Sequence, residues 1–346
     1  MKRWLPDAEQ RLYLANMLLS SLIRRVRRKN PVIRDILCVK LDEIGDMATC
    51  THVFALLKQR YPEARLSVLC NPFNKALLAH DPHVDEILTD LEQWKRPYDL
   101  VAELRGTWQT WLKSLRYLPK LRVDRGTVRF AQRGRQAHEL QTNYRIVAPL
   151  LGNIPFLPAR LFPGDKALEE TKLWLHHTVR LPFVVLHTGA RKVLRRWPAA
   201  RFAALAEWLF NEYKLVAVLP GSAEEQEELQ RLAALINTPV YILPQKFSLN
   251  HLAALCAEAT LFVGNESGPL HIACAMNTPV VGIYGPGVRD VFYPWSSRHA
   301  LVHHVLECNP CDQIHCVYPE SPCIRRASLE EVLDAVNRVM PSVART

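Results

Sequence analysis

Three loops in this sequence carry residue types that can do chemistry. The first is Val263-Gly264-Asn265-Glu266-Ser267-Gly268-Pro269-Leu270-His271-Ile272-Ala273. An apolar run, predicted as a strand over Leu261–Val263, enters a small polar turn and then a helix of small residues. A helix that starts there points free backbone N–H groups and its positive end at one spot, which suits a phosphate. An ordinary strand-to-helix turn would use the same Gly and Ser. The second loop, Thr188 to Pro198, follows a predicted strand Phe183–His187 and holds Arg191, Lys192, Arg195 and Arg196. Guanidinium forks match phosphate oxygens, although a run of cations also occurs on plain solvated surface. The third, Lys40-Leu41-Asp42-Glu43-Ile44-Gly45-Asp46, places three carboxylates after the first predicted strand. A carboxylate at a strand's carboxyl end can take a proton from a hydroxyl. Asp46 at the start of a helix also reads simply as an N-cap.

A fourth loop, Pro220-Gly221-Ser222-Ala223-Glu224-Glu225, pairs a glycine turn with acidic residues. Glu224 there can receive ribose hydroxyls or merely favour the helix start electrostatically. The second half of the chain thus offers a carboxylate, a cationic cluster and a helix N-terminus, a set that suits a nucleoside diphosphate without a divalent metal. The first half lacks Gly-x-Gly-x-x-Gly after its first strand, and the carboxylates there would repel a pyrophosphate. It offers a base instead.

Elements that could position these loops alternate along the chain. The pattern predicts strand Ile36–Leu41, helix Met47–Arg60, strand Arg65–Cys70, helix Pro72–His80 and a strand near Leu100–Glu103. A less regular basic stretch, Arg116–Arg145, ends in a helix predicted over His138–Leu151. Prolines 155, 158 and 163 then close the block. The alternation resumes with strands at Phe183–His187, Leu215–Leu219, Val240–Leu243, Leu261–Val263 and Val280–Tyr284, each followed or preceded by a helix, and a closing helix at Leu329–Met340. Strands alternating with helices imply parallel sheets with crossovers. The expected class is therefore α/β, with two doubly wound Rossmann-like domains over residues 31–160 and 165–346 facing across a cleft, where ligands of such sheets bind.

Composition narrows the function classes. The 346 residues and 49% hydrophobic content allow two buried cores. No apolar run reaches the ~20 residues of a membrane span and no cleavage site follows the N-terminal apolar stretch, so a cytoplasmic protein is expected. The formal charge of +10 is uneven: residues 1–30 carry eight Lys/Arg against two Asp/Glu, and residues 101–145 carry ten against three. In the first segment Leu12, Ala15, Leu19, Leu22 and Val26 fall at helical spacing before Arg24–Lys29 closes it, the pattern of a basic amphipathic helix that lies on an anionic membrane or packs on the protein. Nucleic acid is excluded as a partner, because no zinc-finger, RRM or helix-turn-helix pattern accompanies the charge. Of nine cysteines, Cys308, Cys311, Cys316 and Cys323 are clustered. Their spacing fits a structural zinc or iron ion held by four thiolates, or a compact loop whose thiols merely pack.

The sequence resembles glycosyltransferase family 9, the ADP-heptose:lipopolysaccharide heptosyltransferases. The resemblance runs from Ile36 to Met340 through Gly45-Asp46, His138-Glu139, Arg196-Trp197-Pro198, Gly221 with Glu224, Glu266 to Ala273, and Tyr284-Gly285-Pro286. It implies a GT-B fold, an ADP-heptose donor in the C-terminal domain and an anionic lipid-linked sugar acceptor in the N-terminal one, with no cofactor required. It further implies Asp46 as general base of an inverting transfer, Arg195, Arg196, Ser267, Gly268 and Pro269 on the diphosphate, and Gly221, Glu224 and Glu266 on the nucleoside. Thr188, Gly189 and His271 fall toward the donor sugar, and Gly45 and His138 on the acceptor side. Glu266 and Ser267 stand where the family usually has Asp and Thr. The rival readings are another nucleotide sugar, a polysaccharide or protein acceptor, and a nucleotide-sugar epimerase of the same fold.

Overall fold

The computed structural model describes residues 31–132 and 135–340. The helix predicted within residues 1–30 lies outside the described residues. The chain divides after Ala159 into two compact units, each built on a parallel sheet.

The first unit holds β1 (Asp35–Lys40), α1 (Ile44–Ala48), α2 (His52–Arg60), β2 (Arg65–Cys70), β3 (Glu86–Leu88), β4 (Leu100–Arg105), α3 (Trp108–Tyr117), β5 (Leu121–Asp124), α4 (Arg125–Gln132) and α5 (Glu139–Leu151). Its strand order is β3-β2-β1-β4-β5. Successive side chains of β1 enter opposite layers: Ile36 and Cys38 pack with Phe54, Leu57 and Val147, whereas Leu37 and Val39 pack with Trp94 and Tyr98. Because both faces are covered, the strand reads as one continuous apolar run.

The second unit holds α6 (Asp165–Trp174), β6 (Phe183–His187), α7 (Ala199–Tyr213), β7 (Val216–Leu219), α8 (Gln226–Ala233), β8 (Val240–Ile242), α9 (Leu249–Glu258), β9 (Leu261–Asn265), α10 (Gly268–Ala275), β10 (Val280–Tyr284), β11 (His299–His303) and α11 (Leu329–Val339). The order is β11-β10-β9-β6-β7-β8. Trp197 anchors the loop after β6, donating its indole N–H to the Ala327 carbonyl at 2.8 Å, edge-on to Phe202. α11 begins in a capping box in which Glu331 N–H donates to Ser328 Oγ at 3.2 Å and Ser328 N–H to Glu331 Oε2 at 2.8 Å.

Local departures from the predicted elements have local causes. The helix expected over Met47–Arg60 is two helices, because the hydroxyls of Thr49 and Thr51 donate to the carbonyls of Asp46 and Ala48 and compete with the backbone ladder. The helix expected over Pro72–His80 is a proline-started 3₁₀ turn and one short helical turn, Lys75–Leu78. The basic stretch conceals β5 and α4: Arg122 in β5 is buried because it pairs with Glu103 of β4, so a charge stands at a core position. Among the described residues, no helix is long and apolar enough to cross a membrane.

Candidate active site

In each unit the chain after the first strand goes to one side of the sheet and later to the other, which opens a crevice at the carboxyl ends of two neighbouring strands. In the first unit those strands are β1 and β4, and in the second β6 and β9.

At the β1 crevice, Lys40 ends an apolar strand with no exposed surface. Its Nζ lies 2.9 Å from Asp42 Oδ2 and 3.0 Å from Glu139 Oε1. Glu139, the first residue of α5, also receives both guanidinium nitrogens of Arg125 at 2.6 and 2.7 Å. Asp42 is fixed from behind, where Asn71 and Asn74 donate to its carbonyl at 3.2 and 2.9 Å. Asp46, in the first turn of α1, has a carboxylate oxygen within 4.8 Å of those of Asp42 and Glu139. Burial chiefly pushes its pKa up to about 6, Asp42 and Glu139 add to the rise, and Lys40 and Arg125 oppose it. Glu139 is held well below the usual carboxylate range: burial pushes upward, but Lys40 and Arg125 prevail. The α1 helix has no side-chain cap, so Asp46 is not its N-cap.

Gly45 is buried in the same helix turn. His138 caps α5, its Nδ1 accepting from Leu140 N–H at 3.1 Å, and is almost wholly buried. It thereby sets the start of the helix that carries Glu139.

At the β6 and β9 crevice, His187 pairs in register with Gly264. Asn265 ties the two following loops together: its Nδ2 donates to the Thr188 carbonyl at 2.7 Å and its Oδ1 accepts from Trp197 N–H at 3.0 Å. Ser267 is the N-cap residue of α10 but makes no side-chain cap bond. Its hydroxyl instead donates to the Asn265 carbonyl at 3.0 Å and lies 3.2 Å from His187 Nδ1. The first N–H groups of α10 are thus not consumed by the cap side chain, and Pro269 within its first turn has none to satisfy.

Glu266 is buried, with Oε1 3.4 Å from the Arg195 guanidinium and Oε2 without a hydrogen-bond partner among the described residues. Burial raises its pKa and Arg195 works against the rise. The carboxylate fits against the backbone of Gly287, where any Cβ would overlap it. Arg195 Nε also donates to Gln313 at 2.7 Å. Arg196 turns to α8, donating to both carboxylate oxygens of Glu228 at 3.0 and 2.9 Å, and to the Ala190 carbonyl. Gly268 opens α10, and His271, buried in the same helix, packs edge-on to Phe292.

The profile of glycosyltransferase family 9 (heptosyltransferase) matches residues 157–321. Over that span, a little under half of the chain, the sequence is similar to glycosyltransferase family 9. It is 24% identical over 293 residues to lipopolysaccharide heptosyltransferase 3 of Escherichia coli, covering 73% of this chain and 84% of that protein. A family 9 glycosyltransferase structure from Veillonella parvula superposes with a TM-score of 0.77 at 16% identity, covering 91% of this chain and 99% of that one. The E. coli ADP-heptose lps heptosyltransferase II structure gives a TM-score of 0.71 at 23% identity, covering 88% and 98%. These likenesses identify the fold as GT-B, with two doubly wound α/β units.

Within this GT-B fold, the residues expected on the donor do not all fall together. Thr188, Gly189, Arg195, Glu266, Ser267 and Gly268 converge on the β6 and β9 strand ends. Gly221 follows β7, one strand further out. Glu224 faces solvent and is held below its ordinary pKa by hydrogen bonding to Ser222. Its neighbour Glu225 is the inward acid: it accepts from Ser222 N–H at 2.8 Å and its carboxylate lies against Gly189, where a Cβ would overlap it. The Ser222-x-x-Glu225 spacing is a capping box, which draws the side chain three residues on from the serine toward the turn. That spacing was a signal available in the sequence. Lys40, Arg125, His187 and Glu225 are the site residues that motif reasoning passed over.

Two groups invite the question of a metal. Asp42, Asp46 and Glu139 are the three potential ligands whose donor atoms gather within 4.8 Å among the described residues. Lys40 and Arg125 already occupy both Glu139 oxygens and Asp42 Oδ2, so the protein supplies its own cations there. The thiols of Cys308, Cys311, Cys316 and Cys323 are free and line one small pocket with Leu194 and Pro286, without three sulfurs gathering so closely.

Proposed function

We propose that this protein is an inverting glycosyltransferase that moves heptose from ADP-heptose to a lipopolysaccharide core acceptor. The observation that carries this reading is the convergence of Thr188, Arg195, Glu266 and Ser267 on the switch point between β6 and β9, in a chain whose relative in E. coli is a lipopolysaccharide heptosyltransferase. The second unit holds the donor, with the α10 N-terminus and Arg195 on the diphosphate and Glu266 on the nucleoside. The first unit binds the acceptor. Asp46 takes the proton from an acceptor hydroxyl, the hydroxyl oxygen forms a bond to the anomeric carbon, and the bond from that carbon to the diphosphate oxygen breaks with its electron pair leaving on ADP. The cations at the diphosphate are side chains, so the chemistry runs without a divalent metal.

The exposed Arg105 and Arg129, which border Asp42 and Glu139, attract an acceptor bearing carboxylates or phosphates at the cytoplasmic membrane face. Any zinc or iron belongs to the four-cysteine loop in a structural role, and elemental analysis of purified protein reads its content. The test of function is incubation with ADP-heptose and lipopolysaccharide lacking heptose. The expected result is a mass gain of one heptose on the acceptor, unchanged by chelator. A rearranged ADP-sugar released with no acceptor present would instead identify an epimerase, and turnover only with another nucleotide sugar would reassign the donor.

A further inference from the structure

We propose that Lys40 is a positioning residue for Asp46: clamped between Asp42 and Glu139, it completes a buried array of three carboxylates and two cations in which Asp46 is left as the one proton-accepting member. This deepens the reading of Asp46 as base and rests on it for its catalytic consequence, but the charge arrangement is a property of the first unit by itself.

The array is built from four elements and one loop. β1 ends in Lys40, the following loop carries Asp42, α1 carries Asp46, α4 begins with Arg125 and α5 begins with Glu139. Glu139 is saturated, because Arg125 binds both of its oxygens and Lys40 one of them. Asp42 has Lys40 at 2.9 Å on one oxygen and Arg105 of β4 at 3.3 Å on the other. Asp46 lies within 4.8 Å of both carboxylates yet has no ion pair within salt-bridge distance among the described residues. In the buried part the sum is therefore two positive charges against three negative ones. A single proton neutralises it, and the group without a clamped partner is the one that takes it.

Other charges face the array. Arg129 of α4 lies at the rim beside Arg125 and Arg105. Cys50, packed near Lys40, is kept a neutral thiol by burial. Lys40 itself is held charged: burial disfavours its charge, but Glu139 and Asp42 outweigh that. During transfer the acceptor hydroxyl gives its proton to Asp46, and the buried sum goes from minus one to zero. The array would thus be electrostatically relieved by the same step that activates the nucleophile.

The test titrates Asp46 directly in the full chain, by carbon NMR of carboxyl-labelled aspartate with the Asp46 signal assigned through Asp46→Asn. In Lys40→Met the Asp46 midpoint should rise by about one pH unit or more, because a cation is lost. In Asp42→Asn it should fall by about as much, because a like charge is lost. Asp42 is partly exposed, so that variant carries the test if Lys40→Met does not fold. Opposite displacements support the proposal. A midpoint that stays put in the folded variants, or moves the same way in both, overturns it by making the array a scaffold only. The acid limb of the pH profile for heptose transfer should follow the NMR midpoint. If the midpoints move as stated and no transfer occurs with any acceptor, the assigned function fails while the array stands.

Discussion

Ser267 and His187 join the two strands that flank the second unit's crevice, with Ser267 Oγ 3.2 Å from His187 Nδ1. The serine has a single proton, and the Asn265 carbonyl at 3.0 Å takes it. The remaining contact is then a donation from His187 Nδ1–H to the serine oxygen. The histidine must be neutral for most of the working range, and burial sees to this by lowering its pKa to about 4, partly offset by Glu225. The hydroxyl is thereby held away from the α10 cap position, leaving the helix end for an anion.

Removing that tether loosens the turn without unfolding the sheet. Ser267→Ala forfeits two hydrogen bonds, each worth about 0.5–1.5 kcal/mol net. Affinity for ADP, measured by calorimetry, should weaken about 5- to 150-fold in this variant if the full ~1–3 kcal/mol is lost from binding, with secondary structure by circular dichroism unchanged. Because His187 does not titrate between pH 5.5 and 8, the ratio of ADP affinities of the native protein and Ser267→Ala should be flat across that interval.

Turnover should behave differently from binding. Asp46, the proposed base, can accept a proton only when ionised, and its pKa is raised to about 6, chiefly by burial. The kcat/KM for transfer should therefore be level above pH 7 and fall tenfold per unit below pH 6. Asp46→Asn should lower kcat by about 10²- to 10⁴-fold and leave ADP-sugar affinity within twofold. A variant with near-native turnover would remove Asp46 from the reaction.

Much of this was legible in the sequence because it depends on local pattern. The apolar runs of β1, β6 and β9 and the small-residue turn into α10 gave the α/β class and the crevice loops directly. What stayed hidden depends on tertiary pairing. Lys40 looked like the polar end of a strand, and its burial follows only from Glu139, ninety-nine residues away. Arg122 and Glu103 concealed β5 for the same reason, since a paired charge in a core position breaks the apolar signal. His138 fell within the motif but caps α5, a local role that the motif alone does not distinguish from contact with a ligand.

The two neighbouring acids of the first unit should affect stability with opposite signs. Asp46 ionises near 3.8 when unfolded and near 6 when folded. Its contribution is fully present below pH 3.8 and is lost as pH rises through 6, after which its buried charge opposes folding. Asp46→Asn should accordingly raise Tm at pH 8 by a few degrees, with the gain fading toward pH 4. Glu139 has a depressed folded pKa, so its contribution is present above about 4.5, the ordinary value, and is lost as pH falls through the lower folded value. Glu139→Gln leaves Lys40 and Arg125 short of a buried partner and should cost about 3–5 kcal/mol at pH 7. Thermal melts of both variants at pH 5 and pH 8 check the signs together.

Gly287 gives a last prediction, one that concerns space rather than charge. Its backbone lies against the Glu266 carboxylate so closely that any Cβ would overlap both oxygens. Glu266 is buried and, among the described residues, has only Arg195, at 3.4 Å, on one oxygen, so the carboxylate is fixed largely by the space that glycine leaves. Gly287→Ala should displace the carboxylate and raise the Kd for ADP-heptose about tenfold, with little change in Tm. Shortening the displaced side chain is the matching correction: in Gly287→Ala with Glu266→Asp, the carboxylate withdraws by one methylene and clears the new methyl. The double variant should bind the donor more tightly than Gly287→Ala alone. Equal loss in both would mean that the alanine acts through the backbone of the loop after β10 and not through Glu266.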